Sequence, residues 1–230
     1  MARREDRLRA LEHELVERHG VAVDVAILDL TADGAPEELR RRTEHAGRTV
    51  DVLVNNAGYG LFGEFSKLDW EREHNMLELD VIVPVHLTKL FLPGMLERGF
   101  GHVLNVASIG AYQPSPLYAS YSAAKSFVLN FTEALSYELR GTGVHATALS
   151  PGVVATEFLH VAGQTPTRYR GAAGWTARRS PASASTPCSR AGRAWSSAGA
   201  TRPPPGPSAC CHAAPRRPSP TARCARRARG

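Results

Sequence analysis

Residues 102–149 decide the fold: H-V-L-N-V-A at 102–107, Y-A-S-Y-S-A-A-K-S-F-V-L-N-F-T-E-A-L-S-Y-E-L-R at 118–140, and V-H-A-T-A-L at 144–149. The outer runs are short and largely apolar on both faces, the pattern of strands buried inside a sheet. The middle run repeats its apolar residues every three to four positions and stops at Gly141, which predicts a helix. Strand, helix and strand in that order predict two parallel strands joined by a crossover helix.

The same alternation continues upstream. Val50 to Asn55 reads as a further short buried strand. Trp70 to Leu96 reads as a long helical segment that Pro84 kinks and Pro93-Gly94 breaks near its end. Residues 35–46 read as a mostly exposed helix with Pro36 near its start, Val21 to Leu30 as a strand, and residues 4–19 as a helix striped by Leu8, Leu11 and Leu15 and stopped by Gly20. The expected class is α/β, a parallel sheet with helices on each side. No apolar stretch, Val81 to Val85 included, reads as long enough to span a bilayer, and the charged start is not a signal peptide.

On the helix at 118–140, Tyr121 and Lys125 lie one turn apart and share a face. An ammonium beside a phenol favours phenolate and lowers the tyrosine pKa from its usual ~10, at ~1.4 kcal/mol per unit. That would bring the phenol toward acid–base work near neutrality. Alone, the same pair also fits a half-buried aromatic beside a solvated charge. Ser108, thirteen residues before the tyrosine, would alone be a strand-end hydroxyl capping a turn.

Five landmarks stand in order: Asp29 in Leu28-Asp29-Leu30, Asn55-Asn56-Ala57-Gly58, Ser108, the Tyr121/Lys125 pair, and Ser150-Pro151-Gly152 with Thr156 four residues on. In order and spacing they resemble the short-chain dehydrogenase/reductase family over about residues 1–170. The resemblance implies an oxidoreductase that passes hydride between a nicotinamide cofactor and a ketone or secondary alcohol. It implies that Tyr121 handles the proton at the reacting oxygen, that Lys125 tunes the tyrosine and holds the nicotinamide ribose, and that Ser108 hydrogen-bonds the developing alkoxide. Asp80 falls where the family usually places an Asn that helps hold a relay water. An ionised Asp only accepts hydrogen bonds and binds the lysine's charge more strongly, so the implied relay departs from the family pattern here.

For the cofactor, the resemblance implies Asp29 near the adenine, Asn56, Ala57 and Gly58 along the adenosine side and ribose, and Pro151, Gly152 and Thr156 around the nicotinamide amide, with Tyr121 and Lys125 also in contact. Arg3 and Arg4 fall where NADP-preferring members bind the 2′-phosphate, which favours NADP with NAD as the alternative. Two arginines at a chain start also read as solvated. Phe158, Leu159 and Val161 resemble the start of a substrate lid and suggest an apolar carbonyl or alcohol substrate. A homodimer or homotetramer is implied as well.

The family opens with a strand and a T-G-x-x-x-G-x-G turn that cradles the pyrophosphate, and neither precedes residue 1. The expected fold is therefore an incomplete Rossmann-like doubly wound parallel sheet lacking the first two strands. The alternative function is a fragment that keeps the catalytic residues and cannot bind cofactor. The glycines of Gly58-Tyr59-Gly60-Leu61-Phe62-Gly63 spell a dinucleotide fingerprint, but the acids at the right distance, Glu78 and Asp80, lie in a helical segment, so a loop is expected instead.

Composition divides the chain at about residue 170. Residues 171–230 hold 11 Arg and no Lys, Asp or Glu, so the overall net charge of +6 belongs to the tail and residues 1–170 are net −5. Ala, Arg, Pro, Ser and Gly fill 49 of its 60 positions, without a Leu, Ile, Val, Met, Phe or Tyr. Such a tail cannot bury enough apolar surface to offset its ordering entropy, so disorder is expected. Its residue types are those of GC-rich DNA read out of frame, which predicts a frameshift near residues 171–178. A nucleic-acid-binding tail is the rival, but it contains no recognisable module. All four cysteines lie in the tail without C-x-x-C spacing, so no metal site is expected, and a cysteine-free domain fits the cytosol. Neither a nucleic-acid nor a membrane partner is expected.

Overall fold

The computed structural model describes residues 4–152, 154–155 and 157–164, with the backbone of 175–176 and 195–196. Two helices come first: α1 (Glu5–His19), closed by Gly20 at φ 63°, and α2 (Ala35–His45), with a proline in its first turn. The strand β1 (Val52–Asn55) follows, then α3 (Trp70–Leu77), a π turn (Glu78–Ile82) and α4 (Val83–Arg98). After these come β2 (Gly101–Val106), α5 (Ala119–Glu138), β3 (Val144–Ser150), β4 (Val154–Ala155) and α6 (Phe158–Val161). Two dipeptides of the tail, β5 (Trp175–Thr176) and β6 (Trp195–Ser196), complete the order.

The main sheet is parallel, in the order β1-β2-β3-β6, and β4 pairs with β5 separately. Register aligns Val52 with His102 and His102 with His145. Leu53, Val103, Val144 and Ala146 point to one face, where they meet Val83, Leu87 and Met95 of α4 and Leu135 and Leu139 of α5. Hydrogen bonds stitch polar members into that core: Asn55 Nδ2 to Asn105 Oδ1 at 2.8 Å, and Asn105 Nδ2 to Thr132 Oγ1 at 2.8 Å. Buried amides so paired fix strand register as well as add stability.

Several expectations change. Val21 to Leu30 forms no strand, only an isolated bridge at Ile27. The incomplete, Rossmann-like parallel α/β sheet is as expected, and among the described residues Val52 and Val54 on the outer face of β1 are 56% and 52% exposed. β1 has one described neighbour, and α1 buries none of its residues. The helix through Pro93-Gly94 does not break there; it runs to Arg98 and ends at Gly99, φ 64°. Proline removes one hydrogen bond, whereas a left-handed glycine ends the turn outright. The helical run Trp70–Arg98 is also long and apolar enough, by length and composition, to cross a membrane, contrary to the reading of short apolar stretches. It carries the buried Asp80 and packs against β1 and β2. Apart from β5 and β6, the tail and the disorder expected of it lie outside the described residues.

Candidate active site

Three neighbouring strands deliver the candidate residues at one edge. β1 runs into Asn56-Ala57-Gly58, β2 into Ala107-Ser108, and β3 into Pro151-Gly152. The C-terminal edge of a parallel sheet is where such folds place ligands. The ladder continues past the strand ends, with Ala107 N–H to Leu149 O at 2.8 Å and Ile109 N–H to Pro151 O at 3.0 Å, so Ser108 is fixed beside Pro151.

Ser108 caps the 3₁₀ turn Ile109–Tyr112, its Oγ accepting from Gly110 N–H at 3.1 Å. Its hydroxyl also lies near enough to the phenol of Tyr121 to favour the ionised form. The capping role expected of an isolated serine and the pairing with tyrosine thus coexist. Lys125 is 6% exposed. Its ammonium lies 3.1 Å from Asp80 Oδ2, donates to Val106 O at 3.2 Å, and stands 5.7 Å from the centre of the Tyr121 ring. Helical spacing therefore brings tyrosine and lysine to one face as expected.

The electrostatics differ from expectation. Burial pushes the Tyr121 pKa well above its ordinary range; the Ser108 hydrogen bond pulls it down, while the charge of Asp80 and Tyr118 push it up. The tyrosine is not lowered, because burial outweighs the lowering by Ser108, and the Asp80 carboxylate adds to the rise. Asp80 is 1% exposed and sits in the π turn, a device frequent at functional sites. Burial raises its pKa, opposed by Lys125 and by the Tyr59 N–H, which donates to Oδ1 at 3.2 Å. Oδ2 makes no directed hydrogen bond and is held by Lys125 as an ion pair.

The glycines at 58–63 form a loop with no helix opening from it. Their reason is close approach: a Cβ on Gly58 would sit 2.4 Å from Asp80 Oδ1, and one on Gly60 2.8 Å from the Phe158 ring. Asn56, Ala57 and Gly58 are exposed, and Pro151 and Gly152 half-buried. Asp29 is exposed; its Oδ1 accepts from Thr31 N–H and Oγ1 at 3.1 and 2.9 Å. From Thr31 the contacts run on through Asn75 (2.8 Å) to the Tyr59 hydroxyl (2.9 Å), linking Asp29 to the residue that holds Asp80. Arg4 is engaged by Glu157 at 2.7 Å, together with Arg7 at 2.6 Å. Arg3 and Thr156 lie outside the described residues.

Sequence reading missed Tyr118, Phe62 and Gln164. The Tyr118 ring lies 5.7 Å from that of Tyr121, and its hydroxyl donates to Gln164 Oε1 at 2.7 Å. Only the aromatic character of residues 118–121 hinted at this wall, and the glutamine gave no signal.

The family model of short chain dehydrogenases matches residues 1–166. The chain belongs to this family. It is 38% identical over 163 residues to a short chain dehydrogenase of Pseudocercospora fijiensis, covering 69% of this chain and 52% of that one. It is likewise 38% identical over 164 residues to an NADP-dependent 3-hydroxy acid dehydrogenase of Salmonella typhi, covering 69% and 63%. A short-chain dehydrogenase from Sphingobium yanoikuyae in complex with NADPH superposes with a TM-score of 0.67 at 28% identity, covering 71% of this chain and 65% of that one. The chain thus spans roughly half to two thirds of the length of the first curated relatives it matches, from 52% to 66%.

Proposed function

We propose that these residues serve an NADP-dependent oxidoreductase acting on a ketone or the corresponding secondary alcohol, NAD being the alternative cofactor. The observation that carries the reading is that the Ser108 hydroxyl, just past the end of β2, and the Lys125 ammonium, one turn along α5, both stand beside Tyr121 at one sheet edge.

The nicotinamide half of such a cofactor fits the chemistry of the donor set. Of the three protons of Lys125, one is donated to Val106 O while Asp80 pairs with the charge, which leaves donor capacity for a ribose hydroxyl. Asn56, Ala57 and Gly58 offer exposed backbone at the end of β1, and Pro151 and Gly152 face them from β3 across β2. Asp29 would mark the adenine end, with Thr156 at the nicotinamide amide and Arg3 at a 2′-phosphate. The cofactor, when bound, supplies or receives the hydride.

In reduction, Ser108 holds the carbonyl oxygen and Tyr121 delivers the proton to it. With its pKa raised the phenol stays protonated across neutral pH, and a pKa nearer that range would make it the stronger donor. Asp80 withholds the lysine's charge from the phenol, so Asp80→Asn should lower the tyrosine pKa and raise turnover several-fold. An unchanged rate would remove Asp80 from the proposal. A cytosolic setting and a homodimer or homotetramer accompany the reading.

The deciding experiment pairs calorimetric titration of NADP⁺ and NAD⁺ with NADPH consumption on a panel of apolar ketones. Binding with turnover supports the proposal; turnover absent at saturating cofactor defeats it. A second reading, a chain that keeps the catalytic residues without productive cofactor binding, is favoured by the exposure of Val52 and Val54 beside the expected cofactor edge. It predicts no heat of binding for either cofactor.

A further inference from the structure

We propose that Tyr118 is a specificity-determining residue that latches the segment 157–164 over Tyr121 and limits the size of the carbonyl substituent the site accepts. The substrate part rests on the oxidoreductase reading above, whereas the latch stands on geometry alone.

Four rings follow one another across the site. Phe62 lies 5.2 Å from Tyr118, Tyr118 5.7 Å from Tyr121, and Tyr121 5.3 Å from Phe158, every pair tilted by 51–58°. Tilted contacts at these separations are favourable aromatic packing. The row brings together a loop, the start of α5 and α6, three segments far apart in sequence.

Hydrogen bonds lock the same three segments. Phe62 N–H donates to Ala162 O at 2.9 Å, and Gly63 N–H to Leu117 O at 2.9 Å. Tyr118 adds the side-chain link, its hydroxyl to Gln164 Oε1 at 2.7 Å. Leu117 adopts φ 67°, the left-handed region, as the one non-glycine residue so placed among the described residues. A bulky residue there is strained and persists only where its surroundings impose it. At 41% exposure, burial does not compensate Leu117. The strained turn is what swings the Tyr118 ring beside the reacting phenol.

A carbonyl oxygen held by Ser108 and Tyr121 therefore directs one of its two substituents against Phe62, Tyr118 and Phe158. The wall is apolar except for the Tyr118–Gln164 pair, so it suits an alkyl or aryl group of limited bulk. Gly60 reinforces the limit, since a Cβ there would already strike Phe158 at 2.8 Å.

Hydrogen–deuterium exchange on the full chain tests the latch without any turnover. Tyr118→Phe and Gln164→Leu should each speed exchange across residues 157–164 by about fivefold, the scale of one hydrogen bond. The double variant should be no faster than either single one, because both remove the same link. Unchanged exchange, or effects that add, overturns the latch. In the activity arm, Tyr118→Ala should raise the ratio of kcat/KM for a branched over an unbranched ketone by about tenfold, with Tyr118→Phe near the parent ratio. If the parent turns over ketones and Tyr118→Ala leaves that ratio unchanged, the specificity assignment is lost. If no ketone is turned over by the parent while exchange responds as expected, the latch holds and it is the oxidoreductase reading that fails.

Discussion

Residues 21–30 and 102–107 are both apolar and both read as strands, yet only the second forms one, β2. The difference lies in their neighbours. β2 has β1 on one side and β3 on the other, so its backbone groups are answered in both directions. Residues 21–30 obtain a single bridge at Ile27. Backbone N–H and C=O groups must be paired wherever they are buried, so a run of valines becomes a strand only where a partner lies alongside. The contrast repeats inside β1, where Leu53 is 8% exposed and Val52 and Val54, its neighbours on either side, are open. Among the described residues, the candidate-site edge thus rests on paired strands, whereas α1 and the outer face of β1 stay open.

The sharpest way to break this contrast is at the catalytic edge. Tyr121→Phe removes the proton carrier and keeps the ring that packs on Tyr118 and Phe158. Turnover should fall by about 10²–10⁴-fold, the usual worth of a positioned acid, with cofactor affinity nearly unchanged. Steady-state kinetics and calorimetry on the same preparation check it. A variant with parental kcat would strip the tyrosine of its role.

Next in size is Lys125→Met. Asp80 would then keep a buried carboxylate without its counter-ion, a loss of about 3–5 kcal/mol when a buried pair is broken from one side. Because burial raises the Asp80 pKa, the folded state holds the proton more tightly than the unfolded one. Stability from this group is full below the ordinary carboxylate pKa and is lost as pH rises through the folded value. In Lys125→Met, with the opposing lysine charge gone, that loss should extend to higher pH. Urea melts at several pH values would show it, and a variant as stable as the parent at pH 8 would contradict it.

The two faces of the sheet give a third comparison. Met95→Ala opens a cavity at a fully buried position and should cost about 2–5 kcal/mol. Val54→Thr on the open face should stay within about 0.5 kcal/mol. If the threonine variant costs as much as the alanine one, the outer face of β1 is covered in solution and the contrast drawn here is wrong.

Much of the catalytic edge was legible in the sequence, because it is local. Tyr121 and Lys125 are one helical turn apart, and Ser108 ends the strand that precedes them. The helix caps at Gly20 and Gly99 carry their meaning in one residue, although only the first was read correctly. What was illegible depends on contacts between distant residues. Gly58 looked like part of a motif, but its need for a hydrogen side chain comes from Asp80, 22 positions on in the sequence. The raised pKa of Tyr121 follows from burial and from the Asp80 carboxylate nearby, neither of which spacing reveals. Tyr118 and Gln164 meet across 46 residues. The failed strand at 21–30 belongs to the same class, since a partner strand is the most distant contact of all.

The smallest effect concerns an exposed ionic joint between α1 and α6. Arg7 and Arg4 hold Glu157, at the threshold of α6, and depress its pKa from 4.5 to about 2. A carboxylate with a lowered folded pKa contributes stability above its unfolded value and loses it as pH falls toward the folded one. Glu157→Gln should therefore lower the melting temperature near neutrality, and the gap from the parent should close between about pH 4.5 and 2. The gap should be a few degrees at most, because the three side chains are 50–59% exposed and water screens such pairs. Added salt should shrink it further. Thermal melts at paired pH and salt settle the point: a gap that persists in high salt would mean that the Arg4–Arg7–Glu157 cluster is buried in solution and that α1 is packed against the segment before α6.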